Sequence, residues 1–194
     1  MTAEPAPPGA LADAGSAAAR EAAFRQLYAA HYQHLVAYAR RRTSPGEADD
    51  VVAETFLVTW RRWEEVPEGD LALAWLYAVA RRVLSEGRRG QSRRQRLVAK
   101  LGRLGGRGDA PAADEGIGDE ECVHQAMARL RPHDRELLRL AEWEELSHAQ
   151  LALVFGCTVN AVSIRLHRAH RRFEAALRYV DSDRSLRGEE GSLG

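Results

Sequence analysis

The spacing of large apolar and aromatic residues constrains this chain more than any other feature. They recur at three- and four-residue steps in the first half, and the same spacing returns after position 120. The clearest stretch comprises Phe24, Leu27, Tyr28, His31, Leu35 and Tyr38. Such steps place side chains on one face of a helix, whereas a strand alternates at every second residue. Since no strand-like alternation occurs, the sequence predicts an all-α fold.

Composition divides the predicted helices into two small domains. Eight positive charges without an acid lie between positions 88 and 107, and six acids follow between 109 and 121. Glycine is frequent there and large apolar residues are few, which is typical of a flexible linker. The expected order is a disordered tail at 1–19, a helical domain at 20–90, a linker at 91–119, a second helical domain at 120–180 and a disordered tail at 181–194.

Capping and breaking residues predict where individual helices begin and end. Ser44 followed by Pro45 and Glu47 predicts a helix start with a capping box, and Ser147 with Gln150 three positions later predicts another. A third helix of the first domain should begin near residue 71, and Gly87 and Gly90 are its candidate ends.

Overall charge and cysteine usage limit the chemistry. The chain has 28 basic and 28 acidic residues, so it is not a general polycation. Its arginine bias, with Lys100 the only lysine, fits either a G+C-rich genome or bidentate phosphate contacts. Cys122 and Cys157 lie far apart without a ligand set around them. We therefore expect no catalytic residues, no metal and no cofactor.

Hydropathy gives an expectation about location. No apolar run approaches the roughly 20 residues that span a bilayer. The first residues lack a basic segment followed by an apolar core, so no secretory signal is expected. The sequence therefore predicts a cytoplasmic protein that does not associate with a membrane.

Residues 148–167 have the spacing of a helix-turn-helix. Two helices that cross closely need a small residue at the contact, and Ala152 meets that need. The turn needs a residue that tolerates positive φ, and Gly156 lies four positions later. The second helix of this pair carries five arginines against one acid between positions 160 and 178. An Arg-rich helix there fits the DNA major groove, although a solvated surface is the alternative interpretation.

Three motifs in order resemble the sigma-70 family of transcription initiation factors. The helix at 50–60, DVVAETFLVTW, resembles the segment by which that family binds core polymerase. AWLYAVARR at 74–82 is similar to the helix used against the melted −10 element, and VSIRLHRA at 162–169 is similar to part of the −35-reading domain. Two such domains with nothing else resemble the extracytoplasmic-function group. The resemblance implies a factor that directs promoter recognition.

The resemblance also implies roles for particular residues. The clamp helices of the polymerase β′ subunit would contact Asp50, Glu54, Leu57 and Arg61. Melted −10 DNA would be held by the loop from Glu64 to Asp70 and by Trp75, Tyr77, Arg81 and Arg82, although core packing is the favoured role for Trp75. The −35 element would be read by Thr158, Asn160, Ser163, Arg165, His167, Arg168 and Arg172. An anti-sigma factor is a further partner that the resemblance suggests.

Some positions depart from the family pattern. Ala53 stands where glutamine is usual, Val83 where asparagine is common, Asn160 where glycine is common, and Ser163 and Ile164 where a Lys-Ser pair is frequent. These differences put single contacts in doubt, and they suggest an unusual −35 sequence. A dimeric helix-turn-helix regulator, which would bind duplex DNA without polymerase, is the other hypothesis that the residues allow.

Overall fold

The computed structural model describes residues 10–101 and 119–191, with side chains described for 17–90 and 120–184. Every regular element in these ranges is helical, which confirms the predicted all-α class. The α-helices are α1 (Ala10–Arg40), α2 (Pro45–Arg61), α3 (Leu71–Leu101), α4 (Asp119–Arg129), α5 (Pro132–Glu142), α6 (His148–Phe155) and α7 (Val159–Gly191), with a short 3₁₀ turn at Trp63–Glu65. The chain forms two compact units that divide at Arg88.

The first unit has its core where the apolar stripes of α1, α2 and α3 are buried. Side chains with almost no exposure come from all three helices: Leu35, Tyr38, Val52, Phe56, Leu76, Tyr77 and Ala80. The Tyr38 and Tyr77 rings lie 4.8 Å apart between centroids and join α1 to α3. Burial of each large apolar side chain contributes about 1.5–3 kcal/mol, so this core is the main source of stability of the unit.

Two fully buried threonines on α2 satisfy their hydroxyls within their own helix. Thr55 donates to the carbonyl of Val51 and Thr59 donates to the carbonyl of Thr55, each at 2.7 Å. A buried hydroxyl without a partner would be costly, whereas these back-bonded hydroxyls let polar residues occupy core positions.

A cluster of aromatic side chains packs together at the end of the first unit where α2 ends. Phe24 on α1 makes edge contacts with Phe56, Trp60 and Trp63, at centroid distances between 5.2 and 6.1 Å. The Arg20 guanidinium lies 4.5 Å from the centre of the Trp60 ring. These contacts fix the last turn of α2 and the 3₁₀ turn from which the loop before α3 begins.

The second unit is organised around α7, which packs against α4, α5 and α6. Its buried side chains include Leu130, Leu137, Leu140, Leu151 and Val162. A smaller cluster of Cys122, Ala126 and Val180 joins α4 to the later turns of α7. Both predicted domains therefore have a hydrophobic core of their own.

The guanidinium of Arg135 on α5 caps the end of α4 and fixes the corner between the two helices. Arg135 donates through Nε to the carbonyl of Met127 at 2.7 Å, and through Nη2 to those of Ala128 at 2.6 Å and Leu130 at 3.1 Å. The last carbonyls of a helix have no partner within the helix. Arg135 supplies those partners, so α4 ends without a glycine cap.

Three helices extend beyond the ends that the sequence indicated. Residues 10–19 belong to α1, residues 91–101 continue α3, and residues 181–191 continue α7. Alanine is the strongest helix former, and adding turns to a packed helix needs no new nucleus. Gly87 and Gly90 each cost only about 1 kcal/mol inside a helix and do not stop α3. Positions 1–9, 102–118 and 192–194 lie outside the described residues.

The two predicted capping boxes have different outcomes. At α6 the box is complete, with Gln150 N–H donating to the Ser147 hydroxyl at 3.3 Å and Ser147 N–H donating to the Gln150 side chain at 2.8 Å. At α2 the Ser44 hydroxyl does not cap the backbone and instead donates to the Glu47 carboxylate at 3.0 Å. Hydrogen bonds from Thr43 and Ser44 lower the pKa of Glu47. The half of that box in which the Ser44 hydroxyl accepts from the Glu47 N–H was therefore predicted wrongly, whereas the half in which the Glu47 carboxylate bonds to the Ser44 backbone is present.

Within the described residues, no single helix is long and apolar enough to cross a membrane. The pair formed by α6 and α7 up to Arg184 reaches that threshold only jointly, and the two helices are bent by 96° at the break between them.

His31 should make the first unit sensitive to mild acid. Burial and the neighbouring His34 lower the pKa of His31, and its buried Nδ1 makes no hydrogen bond with the described part of the chain. Because the folded-state pKa lies below the unfolded value of about 6.5, stability is complete above that pH and is lost as pH falls below it. His31→Gln should reduce this loss.

Thermal unfolding followed by tryptophan fluorescence between about pH 7.5 and pH 5.5 measures the effect. Trp60, Trp63 and Trp75 are three of the four tryptophans, so the signal reports mainly on the first unit. His124→Gln, an exposed histidine of the second unit, is the control and should behave as wild type. An identical pH dependence in all three proteins would contradict the assignment to His31.

Candidate nucleic-acid interface

The turn between α6 and α7 has the geometry that the helix-turn-helix prediction requires. Gly156 lies in the left-handed region with φ 60° and ψ 45°. The N–H of Cys157 donates to the carbonyl of Ala152 at 3.0 Å, and that of Gly156 donates to Leu153 at 3.2 Å, so the end of α6 is capped. Glycine adopts this conformation without the penalty that a Cβ brings. The prediction for Gly156 is confirmed.

The first turn of α7 is capped by a side chain, as predicted. The Thr158 hydroxyl accepts a hydrogen bond from the Ala161 N–H at 3.2 Å, and Thr158 itself is exposed. One N–H of the turn is thereby satisfied, while the remaining N–H groups and the positive end of the helix dipole favour an anion nearby.

α7 separates an apolar inner side from a polar outer side. Val162 and Ala169 are buried against the rest of the second unit. At roughly 100° per residue, positions 160, 164, 167 and 171 fall opposite Val162. The exposed residues of this part of α7 are Asn160, Ile164, Arg165, His167, Arg168, Arg171 and Arg172. The outer side therefore offers hydrogen-bond donors and positive charge to a groove of DNA.

A second candidate surface lies on α2. Asp50, Glu54, Leu57 and Arg61 are all exposed, with 41% of the Leu57 surface accessible. Their steps of four, three and four residues place them in one line along the helix, opposite the buried side that faces the core. This outward line, predicted from spacing, combines two acids, one apolar side chain and one arginine.

The loop between α2 and α3 is held by an ion pair at its start and by a backbone hydrogen bond at its end. Arg62 and Glu65 form an ion pair, which lowers the pKa of the Glu65 carboxyl group. Gly69 has φ 65°, and its carbonyl accepts from the Ala72 N–H at 3.0 Å as α3 begins. Glu64 and Asp70, which bound the predicted base-holding loop, are both exposed.

Residues of α3 divide between surface and core. Trp75 is half-buried, Arg81 is half-buried and Arg82 is exposed, where it pairs with Glu86 at 3.0 Å. Tyr77 is only 1% exposed and packs on Tyr38. A ring in that position has no free face for a base, so the prediction of a DNA contact for Tyr77 was wrong. The spacing of the apolar residues along α3 could have predicted that Tyr77 lies in the core.

Each half of the chain matches a protein-family model. Residues 27–94 match the family model for sigma-70 region 2, and residues 120–173 match that for sigma-70, region 4. The ECF RNA polymerase sigma factor SigL of Mycobacterium tuberculosis (strain H37Rv) is 34% identical over 169 residues, which cover 84% of this chain and 93% of SigL. The chain belongs to the sigma-70 family, in its extracytoplasmic-function group.

Other sigma factors are also similar to this chain over most of its length. The RNA polymerase sigma factor CnrH of Cupriavidus metallidurans is 28% identical, over 84% of this chain and 91% of CnrH. Bartonella quintana RpoE, solved with the anti-sigma factor NepR, is 23% identical with a TM-score of 0.58, covering 80% of this chain and 96% of that chain. CnrH, solved with the cytosolic domain of CnrY, is 24% identical with a TM-score of 0.57, covering 86% of this chain and 94% of that chain. The two structures support the helical fold.

As a sigma factor, the protein directs RNA polymerase to promoters and takes part in transcription initiation. Region 2 occupies the half of the chain in which a dimeric regulator would carry its sensing domain. The hypothesis of a dimeric regulator therefore has no support from the comparisons. In the described residues of the sigma factor, no group of three or more His, Cys, Asp or Glu side chains is placed to hold a metal ion.

Two residues that the sequence assigned to −35 DNA have partners inside the sigma factor. The Ser163 hydroxyl lies 3.1 Å from Nδ1 of His148 and also donates to the carbonyl of Val159, so it joins α7 to α6. Arg172 donates through Nη1 to the carboxylate of Asp134 at 2.7 Å. Asp134 is buried, so this ion pair anchors α5 to α7. Spacing alone did not reveal either contact.

Ile164 and Arg171 lie on the outer side of α7, although the sequence analysis did not include them among the −35 residues. Ile164 is 44% exposed, and Arg171 is exposed two turns later. Both positions follow from the helical period once Val162 is known to face inward. The signal was therefore present in the spacing.

Arg172→Ala should destabilise the second unit, because it leaves the buried Asp134 carboxylate without its guanidinium. Since about half of the Arg172 side chain is exposed, solvent weakens the pair, and we expect a loss of about 1–2 kcal/mol in the free energy of unfolding. Urea denaturation measures this loss. Arg171→Ala, which removes an exposed neighbour, should leave stability unchanged; equal stability of both variants would show that the ion pair does not anchor α5.

Proposed function

We propose that the two units divide promoter recognition between them. The first unit binds core RNA polymerase and holds melted −10 DNA, and the second binds the major groove of the −35 element. The domain limits that we propose are 20–90 and 120–180, with the connecting segment crossing the polymerase. The observation that carries this proposal is the outer side of α7, where Asn160, His167 and Arg168 are exposed on the second helix of a helix-turn-helix.

The outward line of α2 is the proposed polymerase contact. Asp50 and Glu54 offer negative charge to basic residues of the β′ clamp helices, and Leu57 offers apolar surface between them. An exposed leucine ringed by charges is typical of a surface that a partner covers. Arg61 lies at the end of the line, where it pairs with an acid of the partner.

The −10 element is proposed to lie along the loop and α3. Melting removes the stacking of a base, so a protein pocket must replace it. The loop from Glu64 to Asp70, braced by the Arg62–Glu65 pair, forms that pocket. Trp75, half-buried, stacks on a neighbouring base, while Arg81 and Arg82 hold backbone phosphates. Tyr77 is not included, because it is buried.

The −35 element is proposed to lie against the first three turns of α7. The N–H groups beyond Thr158 bind a phosphate at the helix start. Asn160 and Arg168 are aligned to reach base edges, while Arg165 and His167 flank them on either side. Ser163 and Arg172 support this surface through His148 and Asp134 rather than by contacting DNA.

The proposal also includes one regulatory partner and a cellular location. RpoE was solved in complex with the anti-sigma factor NepR, and CnrH was solved in complex with the cytosolic domain of CnrY. We infer that an anti-sigma factor likewise covers part of this chain and blocks its access to polymerase. Because core polymerase and promoters are in the cytoplasm, the factor acts there, by binding and without catalytic residues of its own.

Glu54→Arg should strongly weaken polymerase binding without affecting the fold. The change places a positive charge in the middle of the outward line, where the partner is proposed to be basic, so affinity for core polymerase should fall about tenfold or more. Fluorescence anisotropy of labelled protein with core polymerase measures affinity, and run-off transcription measures the consequence. Circular dichroism checks the fold.

The matched control is Asp49→Arg. Asp49 is an exposed acid on the same helix, about 100° away from the line, so its charge reversal should leave core binding close to wild type. Unchanged affinity of the Glu54 variant, or an equal loss in both variants, would contradict the proposed polymerase contact.

A further inference from the structure

Ile164 has an unusual position on α7. It is 44% exposed and lies about 200° from Val162, so it projects away from the core of the second unit. One turn before it is Asn160 and one turn after it is Arg168, both exposed. A branched aliphatic side chain therefore occupies the middle of a surface that is otherwise polar and positively charged.

Exposure alone does not distinguish Ile164, since single exposed apolar residues are common on protein surfaces. Its register does. In a helix-turn-helix the first turns of the second helix approach the base edges, and Ile164 is the sixth residue of α7. If α7 enters the groove on its outer side, Ile164 faces the floor of the groove, while Arg165 and His167 on either side reach the phosphates.

The floor of the major groove is polar except at one place. Guanine, cytosine and adenine present hydrogen-bond donors and acceptors there, whereas thymine adds a C5-methyl group. An aliphatic side chain that faces this floor loses hydration without gaining a partner unless a methyl group lies opposite. Ile164 lacks donors and acceptors, so thymine is the base that fits it.

We propose that Ile164 is a specificity-determining residue that recognises the C5-methyl group of a thymine in the −35 element. This inference rests on the proposed −35 role of α7. It adds the identity of one base, next to the position that Asn160 contacts. Burial of one methyl group predicts about a fourfold gain in affinity for thymine over a base that lacks it.

The test uses holoenzyme assembled from core polymerase and the full-length factor. Selection from promoter duplexes with a randomised −35 segment first gives the preferred sequence. Each thymine in that sequence is then replaced in turn by deoxyuridine, which keeps the base pair and removes only the methyl group. Affinities of these duplexes are measured with wild type, Ile164→Ala and Val123→Ala; Val123 is an exposed valine on α4, outside the proposed DNA-binding surface, and is 39% exposed against 44% for Ile164.

With wild type and Val123→Ala, we expect deoxyuridine at one position to weaken binding about fourfold. With Ile164→Ala, the thymine duplex should bind about fourfold more weakly than to wild type, and deoxyuridine at that position should have no further effect. Circular dichroism should show that the variant is folded, since the side chain is not part of the core.

Three results would overturn the inference. They are a selected sequence without thymine, no deoxyuridine effect in wild type, and the same deoxyuridine effect in Ile164→Ala as in wild type. In each case the −35 role of α7 stands, because selection has succeeded. If selection yields no preferred sequence at all, the proposed −35 role fails and this inference fails with it.

Discussion

The second unit depends on α7 having two opposite sides. Val162 and Ala169 on the inner side pack against the other helices of the unit, so the same helix that completes the core also fixes the direction of the outer residues. A helix rotates as one body, and no outer residue can turn toward DNA unless the inner ones stay packed. The same packing therefore determines both the stability of the core and the orientation of the proposed DNA-binding surface.

The first unit applies the same rule to α2. Val52 and Phe56 are buried, and the outward line starting at Asp50 lies on the opposite side of the helix. The aromatic contacts of Phe24 fix the last turn of α2 and thus the start of the following loop. Both surfaces of this sigma factor are accordingly set by buried residues that contact neither polymerase nor promoter.

Sequence reasoning succeeded where the helical period determines the result. The all-α class, the turn at Gly156, the Thr158 cap and the outward line of α2 depend on spacing and on local backbone preference, which a sequence displays directly. It failed where the result depends on a contact between distant positions. Arg172 pairs with Asp134 and Tyr77 packs on Tyr38, and neither partner is near in the chain. Helix ends were also missed, because glycine weakens a helix without stopping it.

The corner closed by Arg135 has a consequence for how the arginine bias of this chain should be understood. Its planar guanidinium reaches three carbonyls at once, a geometry that an ammonium group on a flexible stem does not reproduce. Whatever the origin of the arginine bias, replacement of arginine by lysine would be tolerated on solvated surfaces and would break these bonds at the corner. At this one position the preference for arginine is therefore a requirement of the fold.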